Sequence, residues 1–572
     1  MERSWWKEAV VYQIYPRSYA DSNGDGIGDI PGIIAKLDYL SWLGVDVLWL
    51  SPIYRSPNDD NGYDISGYQD IMGEFGTMAD FDRLLTEAHK RGLKIIMDLV
   101  VNHTSDEHPW FVESRSSKSS PKRDWYIWRQ PHSGGKPPNN WLSHFSGSAW
   151  ELDAASGEYY LHLFSRKQPD LNWENPAVRK AVYDMMHWWY RKGIDGFRMD
   201  VINMIAKASG LPDAPVPPGP NPPEFVPGPY CNNPGIHDLL KEMNREVLRH
   251  YDAMTVGEIH GVNAVTGLEY VAYDSAELKG LFQFNIMYEG KDQPRLRQLV
   301  NEWYQAFKGR GWNSITLNNH DSPREVSKFG DDGPWRVESA KLIATFLLTA
   351  PGIPYLYQGE EIGMTNVSFD SIDDYRDIEM LNRYRDRIAR ESADKILAEL
   401  RQGCRDNART PMQWTAGPGA GFSTGTPWMK VNPNHSAINV EAAKEDQNSV
   451  LWHYKNLLAF RKANPELVYG DYCQVGDTEG PVYAYERSGE KSSYLVILNW
   501  SAQPVDYVLP DRFAKGYSCV IASYPTAKPQ ASKRLVLRPW DACVYRAQAG
   551  SSRLDQAGNE EGRSRNDSDG NR

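Results

Sequence analysis

An excess of basic charge is the first thing this chain lacks. Its 572 residues carry 63 Lys and Arg against 75 Asp and Glu, a formal net charge of −12. A nucleic-acid binder draws affinity from clustered cations that neutralise phosphate, so the balance argues against a polyanion and against an anionic membrane surface. Long apolar runs are missing too. The most apolar stretch, residues 342–357, is too short to span a bilayer and is broken by Pro351, Gly352 and Pro354. The opening MERSWWKEAV has neither the basic nor the apolar region of a secretory leader. Cysteine is scarce: Cys231, Cys404, Cys473, Cys519 and Cys543 are odd in number, scattered and free of C-x-x-C spacing. That argues against a disulfide framework or a thiolate metal site and points to the reducing cytoplasm. Phe is outnumbered, 16 against 20 Trp and 32 Tyr, so the aromatic share lies in rings with a polar handle. Such rings suit sugar faces as well as cores.

What is present is alternation. Apolar runs at 10–16, 45–52, 93–101, 194–202, 253–259, 281–287, 313–319 and 353–358 read as strands, interleaved with helical periods at 29–44, 77–92, 176–193, 233–251, 294–309 and 337–350. Eight βα units predict an α/β fold built on a closed (β/α)8 TIM barrel. Its first part is residues 1–103. A small inserted domain after strand three occupies 104–171 and holds much of the Trp and Tyr, and the barrel resumes at 172–470. After a helix at 448–466 the period switches from helical to two, which predicts a C-terminal antiparallel β-sandwich domain at 471–547. The Pro-rich segment LPDAPVPPGPNPPEFVPGP after strand four cannot be regular, and the polar tail at 548–572 reads as disordered.

In such a barrel the active site lies where strands end, so polar residues there weigh most. Strand three leads through Asp98 to Asn102 and His103. Strand four carries Arg198 and Asp200, strand five ends in Glu258, and strand seven runs into His320 and Asp321. Any one of these carboxylates could simply cap a helix or pair with Arg198, but four strand ends agree. Two carboxylates at one rim are what a retaining glycosidase needs, one as nucleophile and one as acid/base with a raised pKa. Arg198, two residues from Asp200 on the same face, is expected to hold that nucleophile ionised.

The segments DLVVNHT (98–104), GFRMDVI (196–202), VGEI (256–259) and NNHDSPR (318–324) resemble, in order, the four signature regions of the α-amylase superfamily of glycoside hydrolases. The resemblance is to its oligo-1,6-glucosidase and α-glucosidase branch. It covers roughly residues 5–547, including WWKEAVVYQIYPRS, YYLHLFSRKQPDLNW with Phe164, and RDNARTPMQW. It implies Asp200 as nucleophile, Glu258 as general acid/base, Asp321 as the third carboxylate, and His103, His320, Phe164 and Arg198 as sugar-binding residues. It implies that Tyr63, Asp64 and Arg409 close the pocket around a terminal glucose, hence exo-action. From the residues alone, Asp64 reads as an Asx-turn and Arg409 as a surface ion pair.

Val201, after the nucleophile, resembles the residue of α-1,6-preferring members, so short isomaltose-type oligosaccharides are the expected partners. Activity on other α-linkages or on sucrose, and glucosyl transfer, are alternatives. His260 stands where sucrose isomerases of the branch carry Phe, and MYEGKDQP lacks their arginine-rich segment, which favours hydrolysis over isomerisation. A non-catalytic transporter-associated relative would lack the carboxylates. No cofactor is expected for catalysis. The resemblance implies a structural Ca²⁺ or Mg²⁺ held by Asp21, Asn23, Asp25, Asp29 and the carbonyl of Ile27, where oxygens alternate around glycines; a tight metal-free turn is the other reading. A monomer or weak homo-oligomer is expected.

Overall fold

The structure, a computed structural model, describes residues 3–215, 229–476, 479–513, 516–525 and 532–547. Most of the Pro-rich segment and the tail at 548–572 lie outside the described residues. Eight parallel strands form the central sheet: β1 Val11–Ile14, β2 Val47–Leu50, β3 Lys94–Val100, β4 Gly196–Asp200, β5 Met254–Glu258, β6 Gly280–Phe282, β7 Ser314–Thr316 and β8 Ile353–Tyr357. Their order is β6-β5-β4-β3-β2-β1-β8-β7. Gln283, just past β6, donates to the Asn313 side chain at 3.1 Å and the Ser314 carbonyl at 2.5 Å, bridging the one gap in the barrel wall.

Local chemistry explains the alternation. Helix Met78–Lys90 opens with a capping box between Thr77 and Asp80. Helix Pro176–Lys192 opens with Asn175 as cap and Pro at its first position, and stops at Gly193 with φ 109°. Strand β3 is buried along almost its whole length, as its apolar run requires. Gly196 starts β4 because a Cβ there would lie 2.0 Å from the Met254 carbonyl oxygen on β5. The strands therefore pack without a spacer, in a register that sets Asp98 beside Arg198 and Val100 beside Asp200.

Two boundaries differ from the sequence reading. The helix expected at 29–44 is two helices, Ile30–Ala35 and Leu37–Leu43. The strand expected at 281–287 ends at Phe282, and Phe284–Glu289 is helical. Gln283 turns its amide across the barrel gap instead of extending the ladder.

Between β3 and β4 a three-stranded antiparallel sheet joins Trp128–Arg129, Glu158–Leu161 and Trp150–Asp153. At the C-terminal end a five-stranded antiparallel sheet combines β9 Asp471–Val475, β10 Val482–Ser488, β11 Ser493–Asn499, β13 Tyr517–Ala522 and β15 Ala542–Ala547. A two-stranded sheet, β12 Val505–Val508 with β14 Arg534–Leu537, shares an apolar cluster with it through Ile497, Leu509, Phe513 and Leu535. The larger sheet also meets barrel helix Arg336–Thr349, where Phe346 faces Tyr483 and Thr349 bonds the Tyr485 hydroxyl at 2.6 Å. Among the described residues no helix is long and apolar enough to cross a membrane.

Candidate active site

The strand-end residues meet in one place. Arg198, fully buried on β4, lies with Nη1 2.7 Å from Asp98 Oδ1 and 2.8 Å from Asp200 Oδ1, and with Nη2 2.5 Å from Glu258 Oε2. One guanidinium fork thus ties three carboxylates from three adjacent strands. Asp98 also accepts from Trp49 Nε1 at 3.2 Å and the Tyr63 hydroxyl at 3.0 Å, which leaves it a supporting anion beneath the pocket. Asp200 and Glu258 face a cavity of about 560 Å³ that Asp321, Tyr63, His103 and Phe164 also line. The backbone N–H of Val201 donates to Glu258 Oε2 at 3.1 Å.

Electrostatics differ from the sequence expectation. Burial pushes both carboxyls up. Glu258, with Arg198 and His260 beside it, is brought down to about 2. Asp200, answering to burial, Arg198, Glu258 and Asp98 together, stays well above the usual carboxylate range. Arg198 was expected to hold Asp200 ionised; its fork reaches Glu258 and Asp98 as well, so the three carboxyls share one cation and titrate together.

Asp321 has the opposite setting. Burial opposes its charge, but His320, Arg405 and Arg409 more than compensate and hold it well below the ordinary range. Its Oδ1 is 2.7 Å from Arg409 Nη2 and 3.2 Å from Arg405 Nη1. His320 is buried and neutral, pushed down to about 3 by desolvation. Its Nδ1 takes the Gln13 amide at 2.8 Å, so the remaining proton sits on Nε2, 3.2 Å from Asp321 Oδ2. Tyr63 stacks on His320 with centroids 5.2 Å apart and planes within 3°. His103, likewise desolvated to about 4, contacts the Tyr63 carbonyl and leans against Phe164 at 5.2 Å.

Of the residues expected to close the pocket, Tyr63 lines it, but Asp64 does not. Asp64 is fully buried and accepts from Ser56 Oγ and from the N–H groups of Asp59 and Asp60, five and four residues earlier, so it holds the loop closed from its far end and not as the Asx-turn that the residues alone suggested. The positive φ of Asn61 and Gly62 reverses the chain, and Asp60 faces the cavity instead. Arg409 sits behind Asp321, while Arg405, four residues earlier, reaches the cavity wall. Arg405 is anchored by Asp377, with contacts of 2.9 and 2.5 Å, and lies over the Phe145 ring. Asp60 and Arg405 escaped the sequence reading; their only signal was proximity to Tyr63 and Arg409.

The carboxylates of the loop at 21–29 accept from the loop's own N–H groups and from two neighbours outside it, Gly32 and Ser423. Asp21 accepts from the N–H groups of Asn23, Gly24 and Gly26 and from Ser423 Oγ, Asp25 from Ile27 N, and Asp29 from Gly32 N and Ser22. Its oxygens are of the hard kind Ca²⁺ or Mg²⁺ prefers. As placed, though, no group of three or more His, Cys, Asp or Glu side chains gathers around a cation position anywhere among the described residues.

The family described as "Alpha amylase, catalytic domain" matches residues 13–470. The chain belongs to the α-amylase family. This α-amylase-family chain is 56% identical over 562 residues to a protein named oligo-1,6-glucosidase from Parageobacillus thermoglucosidasius, covering 96% of the chain and 99% of the relative. It is 48% identical to a protein named trehalose-6-phosphate hydrolase from Bacillus subtilis (strain 168), covering 95% of the chain and 98% of the relative. Among solved structures, an isomaltulose synthase from Klebsiella sp. LX3 superposes with TM-score 0.91 at 44% identity, covering 96% of this chain and all of that one.

Proposed function

We propose that this α-amylase-family protein is a retaining exo-α-glucosidase that removes terminal glucose from short α-1,6-linked oligosaccharides of the isomaltose type. The Arg198 fork carries the reading: it sets Asp200 and Glu258 on neighbouring strands, both facing one cavity. Asp200 attacks the anomeric carbon while Glu258 protonates the departing glycosidic oxygen; water then releases glucose with Glu258 as base, restoring the original anomer. One proton is shared by Asp200 and Glu258, and it must sit on Glu258 at the moment of attack; the permanently charged Arg198 holds both carboxyls in place. Asp321, held ionised by Arg405 and Arg409 and with His320 Nε2 beside it, faces the cavity and stands ready for the sugar hydroxyls. Asp60 and Arg405 bound the cavity where a longer chain would otherwise pass, which supports exo-action. The relative named oligo-1,6-glucosidase and Val201 support the linkage.

The test is Asp200→Asn and Glu258→Gln on an aryl α-glucoside and on isomaltose. Both should fall by about 10³-fold or more, with α-glucose as first product of the unaltered enzyme. Near-normal turnover by either variant, or initial β-glucose, contradicts the mechanism.

A further inference from the structure

The cavity has a second charged layer that the chemistry does not use. Helices Ile378–Arg387 and Ala393–Gly403 bring Glu379, Arg383, Arg387 and Glu399 to its wall. These side chains lie outward of the buried Asp200 and Glu258, with Arg383 46% and Glu399 50% exposed. Each arginine is already engaged. Arg383 Nη2 is 2.7 Å from Glu379 Oε1. Arg387 is held twice, with Nη2 2.6 Å from Glu399 Oε2 and Nε 2.7 Å from Glu391 Oε1. Among the described residues that line the cavity, carboxylates outnumber guanidinium groups six to three.

Resting on the reading above, we propose that Glu399 at the mouth and Glu391, which shares Arg387 with it and also pairs with Lys395, are specificity-determining residues. They occupy Arg387 and, with Glu379 on Arg383, deny the arginines to a phosphate on the leaving sugar. A phosphomonoester carries about −1.5 to −2 charges and is recognised by free guanidinium forks. At this mouth it meets guanidiniums already paired with carboxylates, so binding must break those pairs; a neutral leaving sugar meets no such penalty.

The experiment uses the full-length enzyme and three probes, trehalose 6-phosphate, 4-nitrophenyl α-glucoside and isomaltose, with kcat/KM on the first divided by that on the second. Glu391→Gln with Glu399→Gln should raise this ratio at least tenfold by freeing Arg387, and about 0.5 M NaCl should erase most of the gain by screening. Adding Arg387→Gln should return the ratio to its starting value. The aryl glucoside shows that each variant is folded. A ratio that stays unchanged in the double variant, or an unaltered enzyme that hydrolyses trehalose 6-phosphate as well as isomaltose, overturns the proposal. Failure of the unaltered enzyme on both isomaltose and the aryl glucoside would instead overturn the reading on which it rests.

Discussion

Arg409 places Nη2 2.7 Å from Oδ1 of Asp321 and its Nε 3.1 Å from the carbonyl of His320, so one buried guanidinium fixes both consecutive residues after β7. A lysine has the charge but not the planar fork that makes these two contacts together. Arg409→Lys should therefore lower kcat/KM on an aryl α-glucoside by about 10²-fold, chiefly through kcat if Asp321 acts in the transition state. Activity within threefold of the unaltered enzyme would show that Arg405 suffices to hold Asp321.

The three carboxylates on Arg198 titrate as a group. Burial, with Arg198 opposing and Glu258 and Asp98 adding, raises Asp200, and burial raises Asp98 to about 6. Attack needs Asp200 ionised while Glu258 carries a proton, so the pair is active with one proton between them and kcat/KM should fall on the alkaline side as that proton is lost, with a midpoint above the usual carboxylate value of about 4. A profile with no alkaline loss contradicts the shared-proton arrangement. In Arg198→Lys the contacts to Asp98, Asp200 and Glu258 cannot all be kept, and both the midpoint and the maximum should change.

Much of this site could be read from the sequence because its parts stand at the ends of buried strands. A charge such as Asp98, Arg198 or Glu258 inside an apolar run is conspicuous, and the strand period places it on the inner face. Arg405 and Asp377 were not legible for the converse reason. They flank 378–403, whose dense charge reads as a solvated surface, and only tertiary packing turns its edge toward the cavity. Asp60 and Asp64 share one turn, and backbone angles at Asn61 and Gly62, which composition does not specify, decide which one faces the sugar. Strand β6 misled because its continuation alternates apolar and polar residues as a strand would, while Gln283 is drawn across the barrel gap.

A second carboxyl cluster should control stability. Both oxygens of Glu360 and Oε1 of Glu325 are buried without hydrogen-bond partners. Burial raises Glu325 to about 8, and burial with repulsion from Glu325 holds Glu360 well above its ordinary range. The folded state thus binds protons that the unfolded chain releases near pH 4.3, so stability is full below that value and is lost as pH rises through about 8 and beyond. The limiting slope is about 1.4 kcal/mol per pH unit for each such proton. Tm should fall between pH 6 and 8.5, and Glu360→Gln should flatten the fall. A Tm that rises over this interval in the unaltered protein, or falls equally in both, contradicts the assignment.

Val201 follows Asp200 with φ 34° and ψ 41°, a left-handed conformation that a β-branched residue adopts only at a cost of about 1–3 kcal/mol. That conformation turns its N–H onto Glu258 Oε2 and its side chain into the cavity. Val201→Thr keeps the β-branching, and with it the strain and the N–H direction, but replaces one methyl by a hydroxyl beside the leaving sugar. The substitution isolates side-chain chemistry from backbone geometry. A change of this size alters discrimination by about 1–2 kcal/mol, so the maltose to isomaltose ratio of kcat/KM should rise by about tenfold, with turnover of an aryl α-glucoside nearly unchanged. If aryl glucoside turnover collapses instead, the methyl is serving the chemistry at Glu258; if neither quantity moves, linkage preference is set elsewhere on the cavity wall.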